Sequence, residues 1–370
     1  MGAALDESVL DAVDRLAAAD RDGLLRAVAT AGAQVRESVA LTRESGLDAY
    51  VEGVRPRAVL VCCDPPAEVA GRALAAAAGS DSPSPVLLHG AQALPAWTGA
   101  ADLLLLAGHI GADERMLLVA QAAQRRGVPM IGVGPAPSQL EEVCLRARAS
   151  YVPVPPGRPA RAALWGLLGP LLLIAGRLGV APVDAADLEA AADQLDAGSI
   201  RYGPASETLA NPAKMLALEL GAALPVAWGT SPLAGVAAYR LAGQLAGNAA
   251  VPASWGTLPV AAHVFGGLFD GADAVDSGDL FRDRVDEDSP RRPRLVLLRD
   301  SEEEPDIRAH VEATTGALAL RVPVTELVAA AGGPATRFAS LVGVLDFTTV
   351  YIGLALGVDP SGRRIGQGPA

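Results

Sequence analysis

The chain has 370 residues, 51% of them hydrophobic and 19% charged, and carries a formal net charge of -12 at pH 7. That length and apolar content can build two cores of ordinary domain size, and the negative balance repels nucleic acid and an anionic membrane surface, which excludes both as expected partners. Three cysteines, Cys62, Cys63 and Cys144, are too few for a disulfide framework; no Cys/His group has zinc spacing, so no metal or cofactor is implied and a reducing, cytoplasmic location is expected.

The opening MGAALDESVLDAVDR has early acids and lacks the charged and apolar regions of a signal peptide, so export is not expected. Residues 1–45 read as N-terminal helices. Short apolar runs that each end in a Gly or Pro turn then alternate with longer helical patterns, as parallel strands buried on both faces do. The first set predicts strands at Ala58 to Cys62, Pro85 to Leu88, Asp102 to Leu106, Met130 to Val133 and Tyr151 to Val154, with a helix at Glu114 to Arg126. The most apolar run, Ala162 to Val180, is broken by Pro170 and Arg177 into pieces too short to cross a bilayer, and predicts a buried helix.

From Gly179 to Ser206 a helical patch, Val183 to Leu195, and the turn residues of SIRYGPAS predict a linker with a docking helix. A second set follows, with strands at Pro225 to Trp228, Ala249 to Pro252, Arg294 to Leu298 and Ala317 to Arg321. Helices are predicted at Pro232 to Ala246, Asp306 to Thr315 and Arg337 to Leu356. The stretch Gly266 to Arg294 and the acidic SEEEP at Ser301 to Pro305 read as solvated surface. The whole is α/β, with two doubly wound parallel sheets flanked by helices in three α/β/α layers.

One window stands apart. Leu220 to Phe269 contains no Asp and no Glu, although the chain's 42 acids would place about five or six there.

DLLLLAGHIGADERMLLVAQAAQRRGVPMIGVG at Asp102 to Gly134 and NPAKMLALELGAALPVAWG at Asn211 to Gly229 resemble the bifunctional phosphoglucose/phosphomannose isomerases, proteins built from two sugar-isomerase (SIS) domains. The resemblance continues through Val152 to Leu168, Gln244 to Pro252, Arg292 to Asp300 and Leu345 to Pro360. It implies SIS domains at 46–178 and 207–370 joined by 179–206, a homodimer, and a sugar phosphate or related small molecule as ligand. It also implies aldose–ketose isomerisation of hexose 6-phosphates. That chemistry needs a phosphate held at helix N-termini, a histidine for ring opening, a glutamate to move the proton, and an arginine to stabilise the enediolate.

Position by position, the resemblance places the phosphate loop at Gly108, His109, Ile110, Gly111, Ala112 and Asp113, where every hydroxyl of the family pattern is missing and acids follow. Glu114 there also reads as a first-turn acid that suits the helix dipole. The family's earlier glycine turn falls on Cys63, Asp64, Pro65, Pro66 and Ala67, and two prolines remove N–H donors. The cysteines of this strand end read as buried thiols.

The proton-transferring glutamate falls on Gly247, which has no base to offer. Asn248, next to it, is kept as a candidate ligand contact. The histidine falls on His263, read first as a packed core residue and second as catalytic, and the arginine falls on Arg161. Thr230 and Ser231 keep a small hydroxyl turn before a helix, and with Gly108, His109 and Gly111 they complete the candidate ligand-binding residues. The expected function is therefore a SIS protein that binds a carbohydrate derivative and has lost its isomerase base. An active isomerase with a rebuilt site, using His263 and a carboxylate from outside the acid-free window, is the alternative, and a non-catalytic structural or regulatory dimer is a third.

Overall fold

A computed structural model describes residues 5–90, 92–270, 291–318 and 321–358. The chain divides into two compact units, one of Thr30–Asp196 with Ala331–Ala339 and one of Met1–Ala29 with Ala197–Ala330 and Ser340–Ala370. Each holds one parallel sheet.

The first sheet contains β1 (Val59–Cys63), β2 (Val86–Leu88), β3 (Leu103–Ala107), β4 (Met130–Pro135) and β5 (Ser150–Val154), in the order β2-β1-β3-β4-β5. Every pairing is parallel. β3 is buried at all five positions, which is why its sequence, LLLLA, is uniformly apolar rather than alternating. The five predicted strands are all present, with ends displaced by a residue or two.

The second sheet contains β6 (Leu224–Gly229), β7 (Ser254–Thr257), β8 (Pro293–Arg299) and β9 (Val324–Val328), in the order β7-β6-β8-β9, again parallel throughout. Two predicted strands are corrected here. Ala249 to Pro252 is not a strand: the Pro232–Ala249 helix runs to Ala249, and Ala250 leaves it with a left-handed backbone at φ 53°. Pro252 has no N–H for a ladder, so pairing starts two residues later at Ser254. The strand expected at Ala317 to Arg321 is corrected at its start: Ala317 and Leu318 close the Pro305–Leu318 helix, and β9 begins at Val324. A short Ala/Leu run is ambiguous between the two structures, and residues with high helix propensity extend a helix already in progress. Residues 319–320 and most of the predicted 266–294 loop lie outside the described residues; within it, Gly267–Asp270 is a short helix.

The predicted buried helix is found at Leu164–Leu178, covered on nearly every face, Pro170 included. Pro334–Ala355 is apolar and long enough to cross a membrane by composition, but 89% of its most apolar stretch is packed inside protein, the setting of a core helix. In the second unit the chain's sole lysine, Lys214, is fully buried. Its Nζ donates to the carbonyls of Pro204 (2.9 Å) and Ser206 (2.7 Å) and lies over the Tyr351 ring at 5.6 Å. Burial lowers its pKa, and these contacts latch the 203–206 turn to the Pro212–Gly221 helix.

In sheets of this winding, ligands bind beyond the carboxyl ends of the strands, where the chain reverses its direction of travel across the sheet. That point lies between β1 and β3 in the first unit and between β6 and β8 in the second.

Candidate functional site

At the first switch point, β1 ends beside β3, with Cys63 paired to Ala107. After β1 the chain passes through Asp64 into a 3-10 turn, Pro65–Ala67, and then the Glu68–Ala78 helix. After β3 it passes through Gly108 to Asp113 into the Glu114–Arg126 helix. Asp64 is fully buried between these turns. Its Oδ2 accepts from the Ile110 N–H at 2.8 Å and its Oδ1 from the Ala67 N–H at 3.1 Å, and the His109 amide contributes to the same carboxylate.

The turn that the resemblance assigns to a ligand's phosphate thus holds a carboxyl group of the chain's own. Burial raises the pKa of Asp64, and the amides of Ile110, His109 and Ala67 pull it the other way. His109, half-buried beside it, is lowered by burial, with the Asp64 charge opposing.

The glycines leave little spare volume. Gly111 has φ 68°, and a Cβ there would lie 2.8 Å from Ser138 Cβ and 2.9 Å from Pro135 Cγ. A Cβ on Gly108 would lie 2.8 Å from Met116 Cε and 3.4 Å from Asp64 Oδ2. At the helix start Asp113 accepts from the Met116 N–H at 3.0 Å, so that donor is also satisfied internally. Glu114 is exposed, as a first-turn acid is expected to be.

Cys62 is buried and Cys63 half-buried. Desolvation pushes the Cys62 thiol up to about 12 and the Cys63 thiol higher still, so both remain thiols at neutral pH. Arg161 is half-buried in the 3-10 turn Ala160–Ala162, which follows β5 at the far edge of the sheet; β4 separates that strand from β3.

The second switch point is built differently. β6 ends at Gly229, where a Cβ would come within 2.2 Å of the Gly235 backbone nitrogen, so only glycine lets the strand pass this close to the Pro232–Ala249 helix. Ser231 caps that helix, accepting from the Ala234 N–H at 3.1 Å while its hydroxyl donates to Asp300 Oδ2 at 2.6 Å. The Asp300 backbone N–H in turn donates to Thr230 Oγ1 at 2.9 Å. Asp300 follows directly after β8 and is buried. Glu303 is buried behind it and held by Arg299 through Nε (2.9 Å) and Nη2 (2.7 Å). That guanidinium holds the Glu303 carboxyl below the usual range, helped by the Thr230 hydroxyl.

The remaining candidates are not gathered at this point. Gly247 is half-buried in the Pro232–Ala249 helix, toward its C-terminus. Asn248 is 1% exposed, and its Nδ2 donates to Gln244 Oε1 and Thr349 Oγ1, both at 3.0 Å, which commits it to helix packing. His263 lies in the Val260–Phe265 helix after β7 and is exposed, contrary to the expectation of a packed core residue. Among the described residues, no group of three His, Cys, Asp or Glu side chains is placed to hold a metal ion.

Sequence reasoning misses the acids that fill both switch points. Asp64 falls in the correct turn without a role, Glu303 reads as surface, and Asp300 is only the end of a matching segment. A signal is present: in both sheets an aspartate directly follows the last residue of a switch-point strand, VLVCC-Asp64 and PRLVLLR-Asp300.

Residues 209–364 match the family described as the bacterial phospho-glucose isomerase C-terminal SIS domain. A bifunctional phosphoglucose/phosphomannose isomerase of Caldicellulosiruptor bescii is 30% identical over 165 residues, which are 44% of this chain and 48% of that protein. The aligned part thus spans about half the length of that curated relative. Among solved structures, a hypothetical protein of Thermus thermophilus superposes with a TM-score of 0.69 at 14% identity, covering 96% of this chain and 91% of that one. A glucose-6-phosphate isomerase like protein from the same organism gives 0.51 at 21% identity, covering 88% and 93%. The C-terminal domain of glucosamine-fructose-6-phosphate aminotransferase from Francisella tularensis gives 0.55 at 14% identity, covering 91% and 98%.

Proposed function

Because residues 209–364 match the bacterial phospho-glucose isomerase C-terminal SIS domain, we propose that the chain is a non-isomerising member of the bifunctional phosphoglucose/phosphomannose isomerase family of SIS-domain proteins. On this reading it binds a carbohydrate derivative, in the cytoplasm and as a homodimer, without gripping a phosphate at its first switch point. The observation that carries the reading is the Asp64 carboxylate seated on the amides of Ile110 and Ala67. With Asp64 ionised, a ligand charge about 4 Å away is repelled by about 4 kcal/mol at an effective dielectric of about 20. A dianion would meet roughly twice that, more than one charge-assisted hydrogen bond of about 1.5–3 kcal/mol returns.

The absence of any carboxylate from Leu220 to Phe269, with glycine at position 247, supports the same conclusion, since loss of a general base costs about 10²–10⁴ in rate. The test is an NMR or coupled-enzyme assay with fructose 6-phosphate. No glucose or mannose 6-phosphate is expected above the uncatalysed level, and enzyme-like turnover would refute the proposal.

A second reading, an active isomerase with a rebuilt site, draws on Asp300. It comes from outside the acid-free window, yet the fold brings it to 2.6 Å from the Ser231 hydroxyl. It ranks second because this carboxylate is buried and already engaged, accepting also from the Glu302 N–H at 3.3 Å. It requires measurable turnover that falls in His263→Ala and Asp300→Asn.

A further inference from the structure

In the second unit, a cavity of about 310 Å³ lies among the Val260–Phe265, Gly267–Asp270 and Pro305–Leu318 helices, with Trp228 of β6 in its wall. Phe269, His310, Ala262, Ala317 and Leu318 also line it, and no Asp, Glu, Lys or Arg is among the described residues that do. Trp228 and Phe269 are 1% and 0% exposed, and their rings meet edge to face, with centroids 5.3 Å apart at 84°. Both belong to the apolar cluster that includes Val226, Leu295 and Val311, so this aromatic wall is fixed by the core behind it.

Two polar atoms interrupt the apolar lining. Trp228 Nε1 and His310 Nε2 are both buried, and neither has a hydrogen-bond partner among the described residues. Buried polar atoms in folded chains are nearly always paired, because leaving one unmade is costly. An indole N–H can only donate, whereas a neutral imidazole nitrogen donates or accepts according to its tautomer. A hydroxyl suits the pair in either case: it accepts from the indole N–H, and it donates to the imidazole nitrogen or accepts from its N–H. An ionised ligand would be buried here without an opposite charge, which disfavours phosphates and carboxylates. An apolar cavity of about 150 Å³ takes benzene, so about twice that volume has room for a two-ring molecule, and aromatic walls favour ring against ring.

We propose that this cavity binds a small, uncharged, hydroxylated aromatic molecule, its ring against Trp228 and Phe269 and its hydroxyl bonded to Trp228 Nε1 and His310 Nε2. The ligand is not a carbohydrate, so the site stands independently of the function proposed above. Titration of the full chain with 2-naphthol and with 2-methylnaphthalene, a match in size that lacks the hydroxyl, tests it. In ¹H–¹⁵N spectra the Trp228 indole signal should move and saturate with 2-naphthol. The methyl analogue should bind about three- to tenfold more weakly, as the loss of one hydrogen bond implies.

Trp228→Phe keeps an aromatic ring and removes the N–H, so the preference for 2-naphthol, read from the ligands' fluorescence, should shrink by at least about twofold. Ala317 is exposed, so Ala317→Phe should leave the unliganded melting temperature within a degree or so of the native value, while its ring narrows the cavity and weakens 2-naphthol about tenfold or more. This second variant carries the test should the first not fold. A Trp228 signal that stays in place at millimolar 2-naphthol, equal affinity for the two ligands, or unweakened binding in Ala317→Phe would each overturn the proposal.

Discussion

The two switch points reach the same end by opposite routes. In the first unit, the acid comes from the turn after the inner strand β1 and is held by backbone amides, Ala67 of its own turn and Ile110 of the turn after β3. In the second, the acid comes from the turn after β8 and is held by a side-chain hydroxyl of the turn after β6. The first arrangement depends on backbone amides, which only proline would remove, and the second chiefly on a side-chain hydroxyl that a single substitution deletes. The same fold can therefore place an acid at its switch point from either strand, provided the donors are matched.

The largest effect that separates the two is expected from Asp64→Ala. It leaves the Ile110 and Ala67 amides without acceptors, at about 1–3 kcal/mol each, so urea unfolding should show a loss of about 2–6 kcal/mol. In the second unit, Ser231→Ala removes both a helix cap and the donor to Asp300, and a smaller loss of about 1–2 kcal/mol is expected in the same experiment. Equal losses would mean that the amide-held and hydroxyl-held acids are equivalent after all.

The pH dependences should run in opposite directions. The pKa of Asp64 is raised in the folded state, so its contribution to stability is fully present below the ordinary aspartate value and is lost as pH rises through the raised one. That of Glu303 is lowered, so its contribution is present above the ordinary glutamate value and is lost as pH falls through the lowered one. Melting temperatures followed across the acid range should therefore lose one slope in Asp64→Asn and the opposite slope in Glu303→Gln. Slopes of the same sign would contradict the assignment. The smallest change is expected from Glu114→Ala, an exposed first-turn acid worth about 0.3–1 kcal/mol through the helix dipole; a larger loss in chemical denaturation would mean that this acid has a partner in the fold.

Much of the fold was legible because strands buried on both faces leave uniform apolar runs, as at Leu103–Ala107. It failed where apolar residues continued a helix, at Ala249 and at Ala317–Leu318, because a four-residue run carries no period of its own. At the candidate site, the missing hydroxyls of Gly108 to Asp113 and the glycine at 247 could be read directly. The partner of the emptied loop could not, because Asp64 lies 46 residues before Ile110 and only the pairing of β1 with β3 brings them together. Asn248 shows the reverse difficulty: an amide beside Gly247 looks like a ligand contact until Thr349, 101 residues on, is seen to receive it.

The amide signal of Ile110 in a ¹H–¹⁵N spectrum, followed during titration with fructose 6-phosphate, tests the central claim most directly. With Asp64 as the resident anion, the signal should stay in place in the native chain and move in Asp64→Ser, where the amide is released. Movement in the native chain that saturates with the sugar phosphate would show the carboxylate being displaced, and would contradict the account.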